Sequence, residues 1–189
     1  RCFGLAEQSL QEARPAGSAQ PFVDLCEAMV RCEQGRLLSA ASLFEKCLGD
    51  HADRRFAFKG LSEVQRAAGD PSAARKTLDR LLELESQWAG THRALAYHAL
   101  ATQRFDEAAA HMQEAIQAAP DGDFLLPDTF TLGRCHNLAG RRDEAQAIFE
   151  QLISGAPEPP FMVMRAMQKL RGADPADRLH VISRTARVI

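Results

Sequence analysis

The sequence is poor in the residues that build β-sheets. Aromatic residues make up 6% of its 189 residues, with one Trp and one Tyr, and β-branched residues form no runs. This composition argues against a sheet and favours helices packed through Ala and Leu. No apolar run approaches the ~18 residues of a membrane span, and no signal peptide is visible. We therefore expect an all-α protein without a membrane span.

Sequence motifs that mark catalytic, nucleotide and metal sites are also missing. The sequence contains no HExxH, no GxxxxGKS/T, no GxSxG and no CxxC, and no Cys lies at ligand spacing from a His. The acidic pairs Asp106-Glu107 and Asp143-Glu144 open predicted helices, where carboxylates complement the helix N-terminus. His92 and His136 fall at packing positions and are interpreted as partly buried structural residues. We predict no catalysis, no cofactor and no metal.

The cysteines and the net charge restrict the compartment and the partners. The five cysteines are odd in number, and buried thiols indicate a reducing compartment, so we predict a cytoplasmic protein. Arg1 is not an initiator Met, so an upstream signal could have been removed, and a periplasmic or secreted location stays open. The net charge of −2 argues against a nucleic-acid binder that relies on positive charge. The Ala- and Arg-rich composition hints at a bacterial source.

A triplet of small, large and small or apolar residues recurs along the chain with a period of 34 residues. Its copies are Ala6, Leu10 and Ala13; Ala40, Phe44 and Cys47; Ala74, Leu78 and Leu81; Ala108, Met112 and Ala115; and, after a three-residue insertion placed near 121–123, Ala145, Phe149 and Leu152. The small residue lets two antiparallel helices approach closely, and the large residue four positions later lies on the same helix face. The period predicts stacked helix pairs.

Residues 129–157 carry the most complete copy of the repeat. Their spacing follows W-x2-L-G-x2-Y…A-x3-F…P, with Thr129 and His136 in the two aromatic positions. The residues that match it are Leu132, Gly133, Gly140, Ala145, Phe149 and Pro157. Here the sequence resembles the tetratricopeptide repeat (TPR) family. The resemblance implies an all-α, right-handed superhelix of antiparallel helix pairs.

The period divides the chain into a single domain, 1–189, with about eleven helices. We predict an N-terminal half repeat or single helix at 1–20, full repeats at 21–54, 55–88, 89–122 and 126–159, and degenerate capping helices at 160–189. Asp70 and Pro71 are predicted as an N-cap and a first helical residue. The last helix is expected after Asp174, with Leu179, Ile182, Ala186 and Ile189 on one stripe. The absent first helix before residue 1 suggests a piece of a longer array.

In the family that this sequence resembles, the first helix of each repeat lines a concave face. The resemblance places there the following residues, called the groove residues below: Phe22, Leu25, Met29, Phe56, Lys59, Arg66, Arg93, Tyr97, Phe130, Arg134 and Asn137. Their first part is apolar, and basic residues outnumber acidic ones along the rest. The alternative is that Phe22, Leu25 and Met29 pack on the preceding helix and that the arginines are only solvated.

These observations predict a scaffold that binds a protein or peptide segment and has no catalysis of its own. The segment is expected to carry an apolar anchor and acidic residues. Asn137 is the only Asn in the chain, which argues against the carboxylate-gripping and peptide-backbone-holding modes of known TPR proteins. Two alternatives stay open. The chain could be the accessory region of a larger enzyme, such as a bacterial sulfotransferase or hydroxylase, or a scaffold that forms homo-oligomers through its terminal helices.

Overall fold

Ten α-helices make up almost all of the described part of the chain. The structure, a computed structural model, describes residues 2–13, 20–49, 54–155 and 161–170. The helices are α1 (Cys2–Ala13), α2 (Gln20–Glu33), α3 (Leu37–Lys46), α4 (Arg54–Ala67), α5 (Pro71–Leu84), α6 (Ala89–Ala101), α7 (Phe105–Ala118), α8 (Leu125–Leu138), α9 (Arg142–Ser154) and α10 (Phe161–Leu170). These ranges contain no strand, which confirms the all-α prediction. The helix predicted after Asp174 lies outside the described residues.

The chain divides into two compact units, unit 1 (Arg1–His98) and unit 2 (Ala99–Ile189), and the boundary falls within α6. In unit 1, α2 packs on α3 and contacts α4, and α4 packs on α5. In unit 2, α8 packs on α7 and α9, and α10 packs on α9. Short turns join the helices of each pair, so successive helices run antiparallel. The repeat limits remain a prediction, and α2, α4 and α8 each begin one residue before the limit drawn from the period.

The periodic triplets form the core of each helix pair. Every triplet residue from Ala40 to Phe149 is buried, and Leu152 is half-buried. Of the first triplet, only the side chain of Leu10 falls within the described part, and it is half-buried. The period therefore predicted the packing faces correctly, because a helix that packs on two neighbours must repeat its small and large contacts in a fixed order.

Glycine lets an aromatic ring touch the helix backbone in each unit. A Cβ on Gly133 would lie 2.5 Å from Cε1 of Phe149. In unit 1, a Cβ on Gly60 would overlap the ring of Phe44. Both glycines lie inside helices, where they destabilise the backbone relative to Ala. Glycine is needed at these two positions because the Cβ of any other residue would overlap the aromatic ring.

Four equivalent turns end the first helices of the repeats. Gly35, Gly69 and Gly140 have φ values of 73°, 87° and 83°, and Gln103 has a φ of 60° at the corresponding position. Each turn closes with a pair of backbone hydrogen bonds, such as Gly69 N–H to Arg66 O at 3.0 Å and Asp70 N–H to Gln65 O at 2.9 Å. This is the Schellman arrangement, which requires a left-handed residue after the helix. Gln103 adopts that conformation without being glycine.

Candidate functional site

Two large apolar side chains project into solvent from α2 of unit 1. Phe22 is 56% exposed and Met29 is 57% exposed, whereas Leu25 between them is only 5% exposed. Leu25 belongs to a core cluster with residues of α3 and α4, including Phe44 and Leu61. Leu25 is therefore part of the core of unit 1, as the alternative interpretation of this residue had it, and only Phe22 and Met29 are accessible on this helix. At ~100° per residue, Met29 returns to within about 20° of Phe22 on the helix surface, whereas Leu25 is rotated about 60° away and faces the neighbouring helices.

The other groove residues of unit 1 lie on α4 and α6. Phe56 is 42% exposed and Tyr97 is 46% exposed. Lys59 is half-buried, and its Nζ lies 3.9 Å from Oε1 of Glu63. Arg66 is exposed and Arg93 is half-buried. Exposed apolar side chains and basic side chains therefore occur together on the first helices of this unit.

Arg55 stacks on the aromatic rings of Phe56 and Trp88. The guanidinium carbon of Arg55 lies 5.2 Å from the ring centroid of Phe56 and 5.0 Å from that of Trp88. The two rings meet edge to face, with centroids 5.2 Å apart and planes inclined by 78°. Sequence reasoning missed this group, because Trp88 precedes α6 by one residue and only the packing of α4 against the α5–α6 turn brings it to Arg55.

In unit 2, the predicted groove residues lie along one face of α8. Arg134 and Asn137 are exposed, at spacings of four and seven residues from Phe130. Phe130 is half-buried, and its ring centroid lies 5.6 Å from that of Phe149. It packs against the core cluster of Ala145, Phe149, Val163 and Met167. Phe130 therefore contributes more to the core of unit 2 than to its surface.

A polar network joins three helices of unit 2 around Arg141, the residue before α9. Its Nε donates to Nδ1 of His136 and to Oε2 of Glu144, both at 3.0 Å, and Nη1 donates to Asp106 on α7. His136 Nδ1 lies 2.5 Å from the same Glu144 oxygen. The hydrogen bond from Arg141 to Asp106 raises the pKa of Arg141 above its usual range. His136 is thus part of a structural network, as its packing position suggested.

Burial keeps two of the described thiols in their neutral form. Cys26, Cys32, Cys47 and Cys135 form no disulfide among the described residues. Burial raises the pKa of Cys135 to about 11. Burial also raises the pKa of Cys32, and the carboxylates of Glu63 and Glu33 add to this rise. A neutral thiol is a poor nucleophile, so Cys32 and Cys135 are not activated for nucleophilic attack.

Two structural features bear on metal and membrane binding. Within the described ranges, no group of three or more His, Cys, Asp or Glu residues is arranged to hold a metal ion. In the same ranges, none of the helices has the length and apolar character needed to cross a membrane.

Comparison with known proteins identifies the repeat. The family model described as tetratricopeptide repeat matches residues 89–158. No curated protein gives a match. Among solved structures, a thermophilic TPR protein of Thermus thermophilus is 20% identical, with 79% of this chain and 80% of that chain covered and a TM-score of 0.60. A putative kinesin light chain of Podosopora anserina with TPR-like repeats is 13% identical, with 90% and 95% covered and a TM-score of 0.73.

A third similar structure is PilW, a type IV pilus biogenesis factor. It is 15% identical, with 85% of this chain and 73% of that chain covered and a TM-score of 0.72. Identities this low show a common fold. They do not transfer a partner to this chain.

Proposed function

Residues 89–158 match the tetratricopeptide repeat family, and from this premise we propose that the chain is a non-catalytic module that binds a segment of another protein. In unit 1, the segment lies along the accessible groove residues, which are Phe22 and Met29 of α2, Phe56, Lys59 and Arg66 of α4, and Arg93 and Tyr97 of α6. It carries an apolar side chain as its main anchor and acidic residues beside it.

The observation that carries this proposal is the exposure of Phe22 and Met29. Both occupy positions that face the concave surface in TPR proteins, and more than half of each side chain is in solvent. Leu25, between them, packs in the core. Packing of the helix pair therefore does not explain why Phe22 and Met29 are large apolar residues. An exposed apolar group on a fixed helix is the kind of feature that anchors a partner, because buried apolar and aromatic contacts dominate interface energies.

Basic groove residues favour an acidic partner. Lys59, Arg66 and Arg93 in unit 1 and Arg134 in unit 2 belong to a chain whose net charge is −2. Charges at the rim of an interface mainly set the association rate and the salt dependence, since they are screened over about 8 Å at physiological ionic strength. Tyr97 and Asn137 add hydrogen-bonding groups on exposed positions of α6 and α8.

The state of the cysteines supports a cytoplasmic location for the protein. The described thiols are half-buried or buried and form no disulfide. Such cysteines are typical of reducing compartments.

Site-specific photo-crosslinking tests the proposed surface. A photo-reactive phenylalanine analogue replaces Met29 in the expressed chain, and a matched protein carries it at Lys76, an exposed residue of α5. We expect a protein adduct at position 29 that is absent at position 76. The purified adduct partner should then bind the wild-type chain and lose affinity for the double variant Phe22→Ser plus Met29→Ser. Equal adducts at both positions, or unchanged affinity of the double variant, would contradict the proposal.

The basic residues require a separate test. The double variant Arg66→Glu plus Arg93→Glu, with both changes in unit 1, should bind the same partner more weakly, chiefly through a slower association rate, and its melting temperature establishes that it is folded. The difference should shrink as salt is raised. If the variant associates at the wild-type rate at low salt, the basic residues do not face the partner.

A further inference from the structure

Arg55 is held in a fixed orientation at the start of α4. Its guanidinium carbon lies 5.2 Å from the ring centroid of Phe56 and 5.0 Å from that of Trp88. A planar guanidinium stacks on aromatic faces, and the rings restrict the rotation of the side chain. An arginine fixed in this way loses less conformational entropy when it binds a ligand than a freely rotating one does.

The Nε donor of Arg55 is buried and has no hydrogen-bond partner within the described part of the chain. The neighbouring Arg54 differs, because its Nη2 lies 3.6 Å from Oε1 of Glu85. A guanidinium carries five N–H donors and no acceptor. Arg55 is half-buried and Phe56 is 42% exposed, so the group borders solvent.

The charges around Arg55 select the kind of ligand. Arg54 and Lys59 on the same helix are already paired with Glu85 and Glu63. The positive charge at this place is therefore that of Arg55 itself, together with the partial positive charge at the N-terminal end of α4. A cation would be repelled here. A carboxylate would be attracted, and its two oxygens match the fork of a guanidinium. The exposed ring of Phe56 offers an apolar contact at the same place.

We propose that Arg55, Phe56 and Trp88, called the Arg55 site below, bind a side-chain carboxylate of the partner protein together with an apolar side chain next to it in the partner's sequence. Arg55 donates to the carboxylate, and the ring of Phe56 contacts the apolar neighbour. This inference rests on the proposed function, and it names the chemistry that the partner segment must carry at the start of α4.

Trp88 makes the site directly observable, because it is the only Trp in the chain. The probes are three capped peptides that differ at one residue: acetyl-Leu-Glu-Leu-amide, acetyl-Leu-Gln-Leu-amide and acetyl-Leu-Lys-Leu-amide. Each is titrated into the full chain while the Trp emission is recorded. We expect a saturable change with the Glu peptide and a response at least about tenfold weaker with the Gln peptide, as lost charged hydrogen bonds imply. The Lys peptide should give no saturable change.

Variants of the site assign the response to Arg55. Arg55→Gln should lower the association constant for the Glu peptide by about tenfold or more, and Arg55→Lys should fall between it and the wild type because Lys keeps the charge but not the planar fork. Lys76→Gln removes the same charge from α5 and should bind as the wild type does. Melting temperatures establish that each variant is folded. If Arg55→Gln does not fold, the association constant of Arg55→Lys alone tests the role of Arg55.

Two results would overturn the proposal. The first is the absence of a saturable response to the Glu peptide, or a response equal to that of the Gln peptide. The second is an unchanged association constant in both Arg55 variants. Neither of these results bears on the photo-crosslinking at position 29, so failure of the Arg55 site is distinguishable from failure of the proposed function.

Discussion

At the residue scale, one position in each repeat must adopt a left-handed backbone to end the first helix. Three of the four turns use glycine there, and the fourth uses Gln103 with a φ of 60°. A residue with a Cβ is strained in this conformation by about 1–2 kcal/mol, whereas glycine is not. The turn after α6 is therefore the least favourable of the four.

Replacing Gln103 by glycine should stabilise the protein. We expect Gln103→Gly to raise the free energy of unfolding by about 0.5–1 kcal/mol, because relief of strain exceeds the added entropy of the unfolded chain. Urea unfolding measures the change. The matched control is Gln113→Gly on an exposed face of α7, which should lower stability by about 1 kcal/mol. If Gln103→Gly destabilises as much as Gln113→Gly does, strain at the turn is negligible.

The small triplet residues should tolerate no charge. Ala108 is buried on α7, which packs on α8. Ala108→Asp should lower the free energy of unfolding by roughly 3 kcal/mol or more, since it places a carboxylate between packed helices. Ala110→Asp adds the same charge to an exposed position of α7 and should change stability by no more than about 0.5 kcal/mol. Equal melting temperatures for the two variants would show that the assigned packing face is wrong.

At the element scale, the second helices α5, α7 and α9 begin in two different ways. α5 starts with Asp70 as N-cap, whose carboxylate accepts the N–H of Ala73 at 2.9 Å, followed by Pro71. α7 and α9 follow Arg104 and Arg141, which make no capping hydrogen bond. Their first turns are acidic instead, and each arginine pairs with a glutamate of that turn, at 2.8 Å and 3.0 Å. Both devices place negative charge at a helix N-terminus.

The Asp70 cap should make stability depend on pH. Hydrogen bonds from the Ala73 N–H and the Ser72 hydroxyl lower the pKa of Asp70 below its ordinary value of 3.8. The cap therefore stabilises the fold fully above the ordinary pKa, and its contribution is lost as the pH falls through the lower pKa of the folded state. We expect the gap in urea midpoint between wild type and Asp70→Ala to be largest near neutral pH and to narrow in acid.

The control for this measurement is Asp123→Ala, at an exposed position of the α7–α8 link. Its urea midpoint should stay close to the wild-type value at every pH. A gap for Asp70→Ala that is constant with pH would mean that the carboxylate does not act as an ionised cap.

At the scale of the whole molecule, the described core residues form local clusters within each unit. One cluster joins α2, α3 and α4, a second joins α4, α5 and α6 within unit 1, and a third joins α9 and α10 within unit 2. In proteins built this way, each repeat is stabilised by its nearest neighbours. A core defect should therefore act over a short distance along the chain.

Truncation of Phe149 tests this locality. Phe149→Ala should lower the free energy of unfolding by about 3–5 kcal/mol through the cavity it leaves. Amide hydrogen exchange should speed up in α8, α9 and α10, which contact Phe149 or its cluster, and change little in α2 and α3. Phe161→Ala, at a residue 75% exposed, is the matched control and should alter neither quantity. Faster exchange throughout the chain would indicate a single cooperative core.

The sequence by itself determined the class of fold and the packing faces. A helix pair that stacks on identical pairs must present the same small and large contacts at the same interval, so the triplets at Ala40, Ala74, Ala108 and Ala145 repeat visibly in the sequence. Turns and caps are equally local, because they depend on the conformation of one or two residues, as at Gly69 and Asp70.

Only the tertiary structure decided what each first-helix side chain touches. Leu25 and Phe22 differ by about 60° around α2, and the positions of α3 and α4 bury one and expose the other. Gln103 reveals its left-handed backbone only in the folded turn. The stacking of Arg55 on Trp88 joins residues 33 positions apart. Such contacts depend on how helices and turns are placed relative to one another. The periodic pattern indicates the packing face of each helix but not which residues of other elements that face contacts.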